Sequence, residues 1–463
     1  MRTIYYRAQR NIRLNGRKLN RILIRLRNIL FVIVVVFILF IYKVNQSHET
    51  AVMAYISKSA HKFISCEREE TSKPYNTNVL ELLINKYNSA ENIINLDVYG
   101  DINRQTIILV ILVDKYSTSL KYFLASLSQI KGIEEAFLIF SHSYFDEDVN
   151  NLIRKVDFCR VLQIYYPHSL QLHSHKFPGY DPSDCPPDID MQTAESLNCT
   201  GAWSPDIHGH YRNPQFAAKK HHWWWTANKV FENLKCTVNH NGLVVFLEHD
   251  FYFMEDLLYM TIYMKNIADT VSHCEFISLG TNSLKNLNFI NTYRVEVMTW
   301  NHKEHSSVLG FDIKVWNSIV SHYDLFCLID DYSWARSLYF ISLSRRDGKR
   351  FKVLHSLTPR AFKIDATAFT NTLNNIEVIE NVYQVILLEK QHLDDWFPTH
   401  IEVYYKIELE KDEYMIFEYS ENNGGWNDPR DKAMCTNMTI RKIKKVLMDM
   451  KNEFMDYISE KDP

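Results

Sequence analysis

An uninterrupted apolar run, Ile29 to Tyr42 (ILFVIVVVFILFIY), lies near the start of the chain behind a tail that carries only positive charge. Arg2, Arg7, Arg10, Arg13, Arg17, Lys18, Arg21, Arg25 and Arg27 precede the run, and the first acid is Glu49. A bilayer span needs about 20 apolar residues. Leu26, Asn28 and Val44, with Arg27 and Lys43 snorkelling at the ends, extend the run to the thickness of a thin membrane. Basic residues on the N-terminal flank hold that side in the cytosol. The competing reading is a cleaved signal peptide. The tail is long for one, and Lys43-Val44-Asn45-Gln46 offers no small-residue cleavage site. The chain therefore reads as a cytosolic tail (1–28), a membrane signal anchor (29–44), a polar stem (45–100) and a lumenal domain (101–463).

A net charge of −3 leaves no footprint for nucleic acid, and 463 residues at 46% hydrophobic suffice for a sizeable core. The cysteines include no CxxC pair, which disfavours zinc clusters and thioredoxin-like chemistry. In an oxidising lumen disulfides are the natural use of cysteine. A bridge between Cys185 and Cys199 would close a short loop with little core of its own, worth about 3 kcal/mol.

Strand and helix signals alternate from Thr106 onward. Ile107 to Val113 is continuously apolar and β-branched at five positions, as in a strand buried on both faces of a parallel sheet. Leu120 to Ile130 has helical spacing. Ala136–Phe140, Val161–Tyr166 and Gly242–Leu247 read as further strands, and Phe216–Leu234 as a helix. This order is the signature of an α/β domain. Helical periodicity also runs through Val79 to Ile94 of the stem.

Glu248-His249-Asp250 follows one of these strands directly, and open α/β sheets bind ligands outside the carboxyl ends of their strands. Acids there can hold Mg²⁺ or Mn²⁺ against a substrate diphosphate, or simply cap the next helix. Asp330-Asp331, beside Tyr332 and Trp334, could supply a general base or bind sugar hydroxyls, with a helix N-terminus as the alternative. In Lys220-His221-His222-Trp223-Trp224-Trp225 the three tryptophans cannot all face one core. The adjacent histidines diverge by about 100° on a helix, a poor metal arrangement that favours hydrogen bonding instead.

Together these stretches resemble the N-acetylglucosaminyltransferase II family between Thr106 and Cys435. The matching pieces include Ile139-Phe140-Ser141-His142, Phe177-Pro178-Gly179, Asp184-Cys185-Pro186 and Gly209-His210-Tyr211-Arg212. Lys220 to Trp225, Phe246-Leu247-Glu248 with Asp250, Ser278-Leu279-Gly280-Thr281, Asp330-Asp331-Tyr332 with Trp334, and Gly424-Gly425-Trp426 complete the set. The resemblance implies a GT-A type nucleotide-sugar transferase fold, a Rossmann-like mixed α/β sheet. It implies a Golgi enzyme that uses Mn²⁺ and UDP-GlcNAc in an inverting β1,2 transfer to the α1,6-arm mannose of N-glycans on glycoproteins, and it admits a homodimer. Asp250, with Glu248 beside it, would hold the metal. Lys220, His221 and His222 would lie in the substrate site, as would Asp114, which aligns within the donor-binding stretch. The paired acids Asp331 and Asp330 are this chain's own candidates for the catalytic carboxylates. Cys185 with Cys199, and Cys327 with Cys435, match family disulfide positions.

The departures fall in the site. Where the family has Trp-Asp-Trp after the paired aspartates, with the Asp resembling a general base, this chain has Ala335. Where a metal-ligand His follows Arg-x-Phe, this chain has Lys363 after Arg360-Ala361-Phe362. A lysine ammonium has no lone pair to give a metal. Ser143 and Ala218 replace further polar family positions. Two readings follow: a transferase with a rewired site, using Asp331 or Asp365 as base and Lys363 on phosphate, or a catalytically silent paralogue acting as a Golgi glycan-binding or scaffolding protein.

Overall fold

A computed structural model describes residues 2–68, 75–284, 289–345, 348–365, 371–406 and 424–439, without the side chains of 2–26 and 371–374. The tail's basic side chains up to Arg25 and the domain's last residues, 440–463, lie outside this description.

The strands are β1 (Ile93–Ile94), β2 (Ile108–Val113), β3 (Phe137–His142), β4 (Arg160–Tyr165), β5 (Val244–Glu248), β6 (Phe251–Phe253), β7 (Phe276–Ser278), β8 (Gly280–Thr281), β9 (Arg294–Thr299), β10 (Leu309–Phe311), β11 (Lys352–Ser356), β12 (Ala361–Lys363) and β13 (Glu402–Tyr405). The main sheet has the order β1-β4-β3-β2-β5-β10-β7-β11-β9-β13, and β6-β12-β8 form a small second sheet. Strands β4, β3, β2 and β5 run parallel, whereas β10 is antiparallel to both β5 and β7. This mixed α/β architecture is the one the sequence predicts, and the four expected strands appear as β2 to β5.

Both faces of β2 are covered, as its unbroken apolar run requires. Leu109, Ile111 and Val113 enter one core, Ile108 and Val110 the other, and all five are buried. Each large apolar side chain so buried stabilises the fold by about 1.5–3 kcal/mol. Helix Thr118–Leu127 covers the first face, its start capped by the Ser117 hydroxyl accepting from the Leu120 amide at 3.1 Å. Helix Pro214–Asn228 covers the other. Asn213 caps it, and Pro214 sits where a missing N–H costs nothing. Trp223 and Trp224 of this helix are wholly buried: Trp223 stacks on Trp334 at 4.5 Å and Trp224 on Phe326 at 4.1 Å. Trp225 is only partly buried, against Tyr166.

The first helix runs from Arg2 to Tyr55, and its stretch Arg27–Tyr55 is long and apolar enough to cross a membrane. Its last turns belong to the domain. Val52 is buried, His48 stacks on Tyr383 at 4.2 Å, and the Tyr55 hydroxyl donates to Glu389 Oε2 at 2.6 Å, both partners lying on helix Asn371–Gln391. Residues 77–100, expected within a stem, are likewise joined to the sheet. Helix Thr77–Ala90 buries Leu80 and Ile84, and the Asn88 side chain bonds the Tyr165 backbone at 2.7 and 2.8 Å. β1 then pairs with β4 as the sheet's edge. Polarity alone masks this, because a helix needs only a narrow apolar stripe to dock.

Both expected disulfides are present, Cys185–Cys199 and Cys327–Cys435. Cys274 is a free thiol.

Burial pushes the Glu389 carboxyl up to about 7, against the opposing Tyr55 hydroxyl bond. The folded chain thus keeps a proton that the unfolded chain releases near the ordinary Glu value of about 4.3. Its contribution to stability is full below that value and is lost as pH rises through about 7. Replacing Glu389 by Gln should remove about 4 kcal/mol of this pH dependence, read as a flatter curve of unfolding free energy against pH than the parent's.

Candidate active site

The parallel half of the main sheet branches at β2, which pairs with β3 on one side and β5 on the other. The chain connections diverge there, so a crevice opens at the carboxyl ends of β2 and β5, the preferred ligand position in such sheets. Leu112 lies opposite Glu248 in register, so Asp114 and the Glu248-His249-Asp250 turn emerge side by side. The His249 ring bonds the Leu112 carbonyl at 3.1 Å, and the Ser143 hydroxyl donates to Asp114 at 2.9 Å.

The small sheet brings Lys363 to the same place. Lys363 lies opposite Phe251 in the antiparallel β12–β6 ladder, and the Ile364 amide donates to the Asp250 carbonyl at 2.8 Å. Arg360 anchors β12 from a fully buried position, bonding Asp256 at 2.8 Å and the carbonyls of Thr358 and Thr292. Phe362 fills the core, so the Arg-x-Phe stretch delivers its next residue to the crevice. The Lys363 ammonium stands 2.8 Å from Asp250 Oδ2 and 3.4 Å from Glu248 Oε2. Burial pulls the ammonium's pKa down; Asp250 and Glu248 outweigh burial and hold it above the ordinary lysine range.

These groups border a cavity of about 340 Å³. Its aromatic wall includes Trp223, Phe246, Phe251 and Trp334; Glu248, Lys363 and Ala335 also line it. The two departures, Ala335 and Lys363, therefore meet in one cavity. A second cavity of about 470 Å³ adjoins it at Ser333, the residue that caps helix Trp334–Ser344. Tyr211, Phe216, Lys219, Asp206, Asp331 and Tyr332 lie in its wall. Gly425 also borders it at φ +89°, and a Cβ there would fall 1.9 Å from the Tyr332 ring, so only glycine closes this wall. Ser333 carries no motif in the sequence; a serine just before a helix was the available signal.

Asp330 and Asp331 hold this wall together. Asp330 accepts from the Ile207 and Trp426 amides at 3.2 and 2.8 Å. Asp331 is buried, accepts from the Ser333 amide at 2.7 Å and faces Arg336 at 3.4 Å. Lys220, His221 and His222 lie beneath the site, and neither cavity includes them in its lining. The Lys220 nitrogen donates to the Ile329 and Asp331 carbonyls at 3.2 and 2.8 Å and lies 4.2 Å from the Trp426 ring. His221 bonds Asp431, which also holds Arg212 at 2.6 Å. His222 bonds Ser141 at 2.9 Å, and burial pushes it down to about 4. The hydrogen-bonding role expected of the two histidines is what they have.

For the Mn²⁺ that the resemblance implies, the donor set is poor. Among the described residues no group of three His, Cys, Asp or Glu is placed to hold a metal. One oxygen, Asp250 Oδ1, is buried without a partner, but its companion already faces an ammonium. A divalent cation with about six oxygen ligands does not fit beside that charge. The residues present do not fit the ion.

Burial pushes Lys220 down to about 7 although Asp331 and Asp330 oppose it. The penalty for charging it in the fold is therefore complete below about 7 and disappears as pH rises towards the unfolded value of about 10.4. Lys220→Met should destabilise the chain by about 1–3 kcal/mol near pH 9, where two buried carbonyls lose their donor, and by less near pH 6. Denaturant unfolding at the two pH values checks this.

The profile of the family described as N-acetylglucosaminyltransferase II (MGAT2) matches residues 81–435. The alpha-1,6-mannosyl-glycoprotein 2-beta-N-acetylglucosaminyltransferases of Sus scrofa and Homo sapiens are each 32% identical over 356 residues, 76% of this chain and 78% of theirs. That of Arabidopsis thaliana is 26% identical over 345 residues, 74% of this chain and 76% of its own. A solved structure of mouse xyloside xylosyltransferase 1 overlays with TM-score 0.27 at 9% identity, covering 68% of this chain and 91% of that one; this overlay carries no weight in the assignment. With its motifs in family order and the match running through nearly the whole domain, the chain belongs to the N-acetylglucosaminyltransferase II family.

Proposed function

We propose that this protein is a membrane-anchored glycosyltransferase that moves N-acetylglucosamine from UDP-GlcNAc to the 2-hydroxyl of the α1,6-arm mannose of N-glycans. One observation carries the reading: two cavities adjoin at Ser333, at the carboxyl end of β5, in a chain of this family. The aromatic cavity suits the nucleotide-sugar, with Lys363 at its diphosphate. The second cavity, with Tyr211, Phe216 and Tyr332, suits a glycan, whose ring faces pack on aromatic side chains. The basic tail and apolar helix support a single-pass anchor with the domain in the Golgi lumen, where such glycans are processed.

In the reaction the acceptor oxygen forms a bond to the anomeric carbon while the carbon–oxygen bond to the β-phosphate breaks. The electron pair leaves with UDP, which gains one negative charge, and the hydroxyl proton passes to a base. In-line displacement puts that base on the acceptor side, away from Lys363. Asp331, in the wall of the acceptor cavity beside Ser333, is our assignment for it, and Asp330 positions that wall.

The test is an assay of the purified full-length chain in detergent with UDP-GlcNAc and an N-glycan ending in an α1,6-arm mannose. Transfer in β1,2 linkage is expected. Absence of transfer together with retained glycan binding would favour the silent-paralogue reading. Asp331→Asn, which keeps the acceptor oxygen for the Ser333 amide, should lower kcat about 10²–10⁴-fold. An unchanged kcat with a lower melting temperature would leave Asp331 a purely structural residue.

A further inference from the structure

We infer that the Lys363 ammonium is a built-in replacement for a divalent cation, and that the crevice binds a diphosphate without metal. The inference rests on the reading of the aromatic cavity as a donor site. Three observations carry it. The ammonium lies between Asp250 and Glu248, at 2.8 and 3.4 Å, where a bridging cation would have to stand. Its position comes from the backbone: the β12–β6 register and the buried Arg360 anchor fix residue 363 against Asp250. The side chain remains one-third exposed and lines the cavity, so it is open to a ligand.

An ammonium carries three N–H donors, and the two carboxylates take two of them. The third is available to a phosphate oxygen, in a charge-assisted hydrogen bond. A divalent ion could enter only by displacing Lys363, which would leave the lysine without its two acids. The site thus offers a donor for the diphosphate that is resident in the chain and lines the cavity.

The experiment is UDP binding by the full-length chain in detergent, followed by the fluorescence of cavity-lining Trp223 and Trp334 and by calorimetry, once in EDTA and once with Mn²⁺. Binding of similar strength in both buffers is expected, as is no Mn²⁺ binding to the protein alone by electron paramagnetic resonance. Lys363→Met should weaken UDP about tenfold in EDTA, the loss of one charge-assisted contact, while Lys363→Arg retains binding. Lys363→His should make UDP binding respond to Mn²⁺, because imidazole can ligate where ammonium cannot. Melting temperatures of the variants verify that each is folded. UDP binding that vanishes in EDTA and returns with Mn²⁺ overturns this inference alone. No UDP binding in either buffer overturns the donor-site reading, and this inference with it.

Discussion

The site hangs on a buried polar layer beneath it, centred on Lys220 and Asp431. Helix Pro214–Asn228 enters the domain with its tryptophans on the sheet and its charged neighbours facing the carboxyl-terminal segment. Lys220 ties the Ile329 and Asp331 carbonyls. Asp431 ties His221 and Arg212; burial would raise its carboxyl, but the His221 hydrogen bond and the Arg212 guanidinium hold it below the usual range. Each of these groups would be expensive to bury alone and is acceptable only because the others are present. The wall of the second cavity is therefore set from below, by contacts that touch no ligand. Trp426, wholly buried and bonded to the Cys327 carbonyl at 2.9 Å, and the Cys327–Cys435 bridge close the layer.

This arrangement explains which family features persist. Lys220 to Trp225, Arg212, Asp330-Asp331 and Trp426 are the layer and the wall, and losing Lys220, His221, Arg212 or Trp426 would leave a buried partner unsatisfied. Ala335 and Lys363 face a cavity, where a change alters chemistry without unmaking the fold. The two replaced positions line one cavity though they lie 28 residues apart in sequence (335 and 363).

Much of this was legible in the residue pattern. The run from Ile107 to Val113 demanded burial on both faces, and β2 alternates its side chains between two cores. The tryptophan triplet could not serve one core, and Trp225 does stand apart from Trp223 and Trp224. Other features were hidden. β1, two residues long, has no periodicity to detect and exists because β4 offers a free edge. The docking of Tyr55 on Glu389 joins positions 334 apart. Lys220, His221 and His222 carry the chemistry expected of a substrate site, yet they sit beneath it.

The amino-acid sequence alone determined the helix long and apolar enough to cross a membrane, the alternation of strands and helices and the acidic turn after β5, because each depends on local pattern; the family resemblance implied both disulfide pairings. It also showed that Ala335 and Lys363 depart from the family. Only the tertiary structure decided what that departure means. The antiparallel register of β12 on β6, a pairing between residues over a hundred positions apart, puts the Lys363 ammonium on Asp250. Charge acts through distance in space, and that distance is set by the sheet.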